Sequence, residues 1–319
     1  MQKTYSQPTS RREALGSTLR RAWDSDLAWS FRHSPMAILA SFTTLVFFLL
    51  ALFAPWIAPQ NAFDPGAIRL EDGFLEPMER SSSTGMLYVL GTDSQGRDIL
   101  SAILYGSRIS LLVGFASVGF SMVLGVTLGL IAGFVGGRTD ALIMRIADIQ
   151  LSFPAILIAL LVFGIGRGLI PPSQHEQMAI IVLIIAIGLS HWAQYARTVR
   201  GSTMVEKGKE YVQAARVMGR SSLAIMREHV LPNVIGPVLV IATINLALAI
   251  IEEATLSFLG VGVPPTQPSL GTLIRVGQQF LFSGEWWILL FPSLALIILA
   301  LAVNLFGDWL RDALNPRLK

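Results

Sequence analysis

Acid–base and nucleophilic side chains are sparse in this chain, and none falls into a spacing that supports catalysis. His33, His175, His191 and His229 lie far apart, with no H-E-x-x-H pair or other compact ligand set for a catalytic metal. Cysteine is absent, which removes thiol nucleophiles, disulfides, thiolate zinc sites and iron–sulfur ligation. No G-x-S-x-G elbow occurs. Gly208-Lys209-Glu210 lacks both the earlier glycine spacing and the hydroxyl residue of a phosphate-binding loop, so the chain is not expected to hydrolyse ATP by itself. What remains is a handful of polar residues in apolar surroundings. Asn245 and Glu252 are seven residues apart, hence within about 20° of each other around a helix. Glu253 points to a different side. Arg145 and Asp148 share a face at a spacing of three and are expected to form a structural ion pair. For Glu252, a place on a transport pathway or outer gate stands beside the alternative of a hydrogen bond to a neighbouring helix.

The elements that carry these residues are membrane spans. Of 319 residues 53% are hydrophobic and only 14% charged, with a mean hydropathy of +0.59, which is too apolar for a soluble domain and far too apolar for a disordered chain. A net charge of +3 is too small to imply nucleic acid. Six stretches are long enough to cross roughly 30 Å of hydrocarbon. They run Met36 to Ile57, about Ile109 to Val135, Leu142 to Ile165, Met178 to Ala196, Val234 to Leu259 and Trp286 to Phe306.

Charge placement orients them. With the N-terminus inside, 18 of the 24 Lys and Arg residues fall on the cytoplasmic side, including seven between Arg197 and Asn233. The positive-inside rule therefore puts both termini and that loop in the cytoplasm. Trp286, Trp287 and Trp309 suit aromatic belts at the two interfaces. The first span exceeds the apolar core of a cleavable signal, and Pro55 follows its small-residue site near Ala54, so it reads as a retained anchor. Ahead of it, Leu15, Leu19, Trp23, Leu27 and Phe31 recur every fourth residue, as in an amphipathic helix lying on the membrane; a disordered basic tail is the alternative.

Between the spans, residues 58–106 form a long outer loop with Pro59, Pro65 and Pro77. It contains Leu90-Gly91-Thr92-Asp93-Ser94-Gln95-Gly96-Arg97-Asp98, where Thr92 and Gln95 have the spacing of a capping box. Gly125, Gly129 and Gly133 leave one face of the second span without bulk, which favours close helix packing over a substrate-lining stripe. Pro154 should bend the third span, as a packing adjustment or as a hinge.

The basic loop 197–233 reads as helix, turn, helix. Glu210-Tyr211-Val212-Gln213-Ala214-Ala215-Arg216-Val217-Met218-Gly219 offers a slim alanine face and a glycine suited to positive φ, and Pro232 suits the first turn of the next helix. This segment resembles the EAA loop of permease subunits in binding-protein-dependent ABC importers: EAA, three residues, Gly, nine residues, I-x-L-P. It departs from that pattern at Gln213, where Glu is usual, and at His229, where Ile is usual, while Ala214, Ala215, Gly219, Leu231 and Pro232 match. Glu210 lies three residues before Gln213 on the same face. LGTDSQGRDILS with Gly91, Thr92, Asp93, Gly96, Arg97 and Asp98, then MRIADIQLSFP and Glu253-Ala254-Thr255-Leu256-Ser257-Phe258-Leu259-Gly260, resemble the dipeptide and oligopeptide branch. There a PSWG string is usual where this chain has Pro268-Ser269-Leu270-Gly271.

The resemblance implies an all-α, six-helix, type I ABC importer permease-like protein of the bacterial inner (cytoplasmic) membrane. Its expected layout is a cytoplasmic segment over 1–35, a first helix over 36–57, a periplasmic loop over 58–106, a five-helix core over 107–307 with the coupling loop 197–233, and a tail over 308–319. The implied partners are a second homologous permease, two ATP-binding subunits that hold ATP and magnesium, a periplasmic substrate-binding protein and the lipid bilayer, with no nucleic acid and no cofactor in this chain. Peptide is the expected cargo. Nickel chelates or another small solute, and an ion-coupled secondary transporter built on Glu252, are the alternatives.

Overall fold

The computed structural model describes residues 26–314 apart from Pro65, Ala67 and Pro265. Most of the basic N-terminal periodicity, from Leu15 to Trp23, lies outside the described residues. Its end is helical: α1 (Asp26–Arg32) carries Phe31, whose ring packs on Trp309 at 5.1 Å.

Helix α2 (Pro35–Leu52) starts at Ser34, which accepts a hydrogen bond from the Ala37 N–H, with Pro35 in the first turn where its missing N–H costs nothing. A short α3 (Ala54–Ile57) follows. Among its described residues the outer loop contains a two-stranded antiparallel ribbon, β1 (Glu79–Arg80) with β2 (Leu87–Tyr88), paired Glu79 to Tyr88 and Arg80 to Leu87. The main body is α4 (Ile99–Val135), α5 (Gly137–Leu151), α6 (Ala155–Leu169), α7 (His175–Lys207), α8 (Glu210–Val217), α9 (Ser222–Ile225), α10 (Leu231–Phe258), α11 (Leu270–Gln278) and α12 (Trp287–Leu314).

Among the described residues five helices are long and apolar enough to cross a membrane, and six if the bent pair α5 and α6 is one span. That pair corrects the expected single third span. It breaks at Pro154 through 102°, far beyond an ordinary proline kink, because Ser152 and Phe153 leave the helix before the proline and Pro154 itself is extended. Other helices differ in length from the expected spans: α2 stops at Leu52, short of Ile57, while α12 runs on to Leu314, into the expected tail. α4 begins at Ile99, so residues 99–106, expected in the outer loop, are helical, and α7 continues through its basic end to Lys207.

The glycine stripe on α4 sets the central packing. A Cβ on Gly125 would lie 2.5 Å from Trp192 O, one on Gly129 2.6 Å from Ala196 O, and one on Gly133 2.8 Å from Arg200 O. The partners' residue numbers rise together along both helices, so α4 and α7 run parallel. Two parallel helices require the chain between them to run back from the end of one to the start of the other, and α5 with α6 is the segment that does so.

The expected pair of Arg145 with Asp148 does not form. Asp148 is instead bound by Arg197 of α7, and Asp140 by Arg200 at 2.5 Å. Helices α5 and α7 lie side by side, so cross-helix arginines reach carboxylates that the same-helix neighbour would have to curl back to meet.

Candidate functional site

Three groups of residues deserve a chemical account: the loop after α7, the polar seam between α7 and α10, and the outer junction around Glu253.

In the loop, α8 is short and amphipathic. Val212 and Ala215 are buried against Ile225, Val230 and Tyr195, while Glu210, Gln213 and Ala214 face outward. Gln213 Nε2 donates to Lys207 O at 3.0 Å, which ties α8 to the end of α7. Gly219 ends the helix at φ +77, the left-handed turn its sequence position requires. The tip around it is apolar and uncovered: Val217 is 89%, Met218 74% and Leu223 73% exposed.

Pro232 does not open a separate helix. Residues 222–258 form one rod, and Met226–Val230 is a π-helical turn immediately ahead of Leu231 and Pro232. The wider turn reroutes backbone bonds at the point where Pro232 supplies no N–H. His229 keeps its carbonyl capped by Asn233 Nδ2 at 2.7 Å.

Sequence reasoning missed the anchor of this loop. Glu206 is buried, binds Lys209 Nζ at 2.8 Å and accepts from the Tyr211 hydroxyl, to which Asn233 Nδ2 donates at 3.1 Å. Burial, with the adjacent Glu206 carboxylate, pushes the Tyr211 hydroxyl pKa up to about 12. The three residues join the last turn of α7, the first of α8 and the start of α10. A Glu four residues before an EAA-like helix and a Tyr inside it were the available signals.

In the seam, Glu252 lies opposite His191, with Nε2 to Oε2 at 2.9 Å and both side chains largely buried. His191 is the middle residue of α7. Asn245 is 1% exposed and faces Tyr195 of α7. Asn245 Nδ2, the Tyr195 hydroxyl and His191 Nδ1 are buried without a hydrogen-bond partner among the described residues. Asn245 and Glu252 therefore do share one stripe, directed at α7.

At the outer junction Glu253, read from sequence only as pointing elsewhere, is fully buried. It accepts from Ser110 Oγ at 2.6 Å and Ser257 Oγ at 2.7 Å. Gly271 packs so closely on α10 that a Cβ would lie 2.3 Å from Ala254 O, and Leu270 is wholly buried beside it.

The outer-loop string is architectural. Thr92 does not cap a helix; its hydroxyl donates to Asp72 O at 2.6 Å and accepts from Leu75 N–H at 2.8 Å, folding the loop onto itself. The cap of α4 is Asp98, accepting from Ser101 N–H at 2.8 Å. Asp93 binds Arg97 at 2.7 Å. Gly91 and Gly96 both have positive φ, and a Cβ on Gly96 would sit 1.9 Å from Arg69 O. Trp287 Nε1 donates to Thr92 O at 3.1 Å, clamping the string to α12.

Comparison with known proteins agrees with this architecture. The model of the family described as binding-protein-dependent transport system inner membrane component matches residues 125–319, and the N-terminal TM domain of oligopeptide transport permease C matches residues 17–77. The chain is 38% identical over 304 residues to the di/tripeptide transport system permease protein of Pseudomonas aeruginosa, covering 95% of this chain and 93% of that one. It is 38% identical over 289 residues to the dipeptide transport system permease protein of Haemophilus influenzae, covering 91% and 93%. The glutathione transport system permease protein of Pectobacterium atrosepticum is 35% identical over 317 residues, covering 97% and 98%. Among solved structures, a chain of the inward-facing MetNI methionine ABC transporter superposes with a TM-score of 0.52 at 20% identity, covering 68% of this chain and 96% of that one.

Proposed function

We propose that this chain, which belongs to the family of binding-protein-dependent transport system inner membrane components, moves short peptides across a bacterial inner membrane as one of two permease subunits. A binding protein delivers the peptide at the outer face, and two ATP-binding subunits, which hold ATP and magnesium, drive the cycle from the cytoplasm. This subunit supplies helices and force transmission, not bond chemistry. The orientation of this reading places both termini and the loop between α7 and α10 inside.

The observation that carries the reading is the tip of α8. Its inner face is fastened to α7 and α10, while Val217, Met218 and Leu223 project uncovered around a fixed turn. A rigidly rooted apolar knob can transmit displacement from a docked subunit into two spans, because packed elements shift as units. Peptide as cargo is supported by the printed functions of the dipeptide and di/tripeptide relatives.

Two measurements test the reading. The chain, co-expressed with the second permease, the ATP-binding subunits and the binding protein, should take up labelled Ala-Ala in proteoliposomes only with ATP present; uptake without ATP would refute it. In intact spheroplasts an impermeant thiol reagent should label Ser82→Cys in the outer loop and spare Arg227→Cys, and the reverse would invert the orientation.

A further inference from the structure

At the end of the bundle away from α8, a cavity of about 150 Å³ opens between the α6–α7 junction and the segment following α10. Phe163 and Val182 form part of its apolar wall, and its ionisable lining is Arg167, His175, Glu176 and Arg275. Two of the six Lys and Arg residues assigned to the outer side thus converge on one hollow.

The arginines are held in place without being neutralised. His175 Nε2 donates to Ile170 O at 2.8 Å, which leaves Nδ1 to accept from Arg167 Nε at 3.4 Å. That bond uses only the inner nitrogen of the guanidinium and leaves its two terminal nitrogens available. Arg275 lies across Gly260, where φ is +80 and a Cβ would come within 2.4 Å of Nη1, so the glycine creates the space the guanidinium occupies. Neither arginine has a carboxylate partner among the described ion pairs. Paired guanidiniums present forked donors matched to a carboxylate. Glu176 lines the same hollow and offers the opposite charge.

We propose that this cavity is a station for the zwitterionic main chain of a short peptide, with its α-carboxylate on Arg167 and Arg275 and its ammonium toward Glu176. The assignment rests on the peptide-import reading above and adds to it the chemistry of recognition inside the permease. An anion alone would be repelled by Glu176 and a cation alone by the two arginines. A ligand bearing both charges satisfies all three, and the apolar wall accepts a small side chain. The imidazole of His175 acts as a positioning group for Arg167 and not as a ligand-binding group.

The test uses the four-subunit complex in lipid nanodiscs without binding protein, probed with Ala-Ala and with its C-terminal amide by saturation-transfer NMR. Ala-Ala should show transfer, and the amide should bind about tenfold more weakly, as expected for loss of a charge-assisted hydrogen bond. Arg275→Gln, Arg167→Gln and Gly260→Ala should each weaken Ala-Ala by a similar factor while the four subunits still co-elute. A variant that fails to co-elute is replaced by Arg275→Lys, which keeps the charge but not the fork and should weaken Ala-Ala less than Gln does. No transfer in the wild-type complex, equal transfer from the amide, or insensitivity to both arginine substitutions overturns the station. So does a change in retained phospholipid without a change in dipeptide binding, which would assign the hollow to a lipid headgroup. ATP-dependent uptake of Ala-Ala by the same wild-type complex, with binding protein added, separates the two readings: uptake without arginine-dependent binding removes this station and leaves peptide import standing.

Discussion

Ser110 Oγ donates to Glu253 Oε2 at 2.6 Å and accepts the Leu270 backbone N–H at 3.3 Å, so one hydroxyl joins α4, α10 and α11. The three segments meet across 143 and 160 residues of chain. Around them Ser257 Oγ donates to the other carboxylate oxygen and accepts from Val263 N–H at 3.2 Å, drawing the segment after α10 into the same knot. Glu253 itself has no exposed surface.

Removing the acceptor should therefore cost more than the carboxylate's own bonds. Glu253→Ala leaves the Ser110 and Ser257 hydroxyls buried without their acceptor, at about 1–3 kcal/mol for each orphaned group. Glu253→Gln keeps an acceptor oxygen and should lose less. The expected order of melting temperatures for the purified complex is wild type, Gln, then Ala. An Ala variant as stable as wild type would show that the knot does not hold α11.

The α4–α7 seam predicts a packing phenotype. At Gly129 a Cβ would lie 2.6 Å from Ala196 O and 2.8 Å from Val199 Cβ, so even Gly129→Ala must push the helices apart. Overpacking of this kind costs about 1–3 kcal/mol. Gly119, on the same helix, has nothing within 4 Å of its Cβ position, and Gly119→Ala should be neutral or slightly stabilising through helix propensity. Thermal unfolding of the two variants side by side checks the contrast. Equal melting temperatures would remove the glycine stripe as a packing device.

Much of this was legible in the sequence because the bilayer imposes simple rules. The presence of long apolar helices and the packing role of the Gly125-Gly129-Gly133 stripe follow from hydrocarbon thickness and helix periodicity, each of which acts locally. Gly219 was legible for the same reason, since positive φ is a property of one residue. The misreadings all concern partners brought together from a distance. Asp148 chose Arg197 over Arg145, and Thr92 tied down Asp72 and Leu75 instead of starting a helix. Nothing in periodicity reveals that α5 doubles back along α7. The break at Pro154 was visible as a proline, but its 102° angle depends on Ser152 and Phe153 leaving the helix, which propensity does not fix.

The Glu252–His191 pair makes a separable prediction about transport. Glu252→Gln preserves shape and one hydrogen-bonding oxygen toward His191, so the complex should assemble, while the loss of charge in a seam with three unpartnered polar atoms alters its response to movement. Uptake should fall at least severalfold. His191→Leu strands the carboxylate in a largely buried site and should cost stability as well, on the order of 3–5 kcal/mol for breaking a buried pair. Subunit co-elution and peptide uptake measured on both variants distinguish the roles. Full uptake by Glu252→Gln would return the seam to a purely structural contact.

The sharpest test of force transmission is Gly219. Its φ of +77 is a conformation that a β-branched residue resists, yet a Cβ there would meet no atom within 4 Å. Any defect in Gly219→Val thus comes from the backbone and not from a clash, at roughly 1–2 kcal/mol. The turn can relieve that strain only by leaving the left-handed region, which re-aims Val217 and Met218 on one side and Leu223 on the other. No span changes, so insertion into the membrane should be normal. Retention of the ATP-binding subunits and binding-protein-stimulated ATP hydrolysis should both fall. Gly219→Asn is the matched control, because Asn tolerates positive φ and should restore most of the coupling. If Val behaves like Asn, with full retention and stimulated hydrolysis, the conformation of this turn does not govern how the spans are driven.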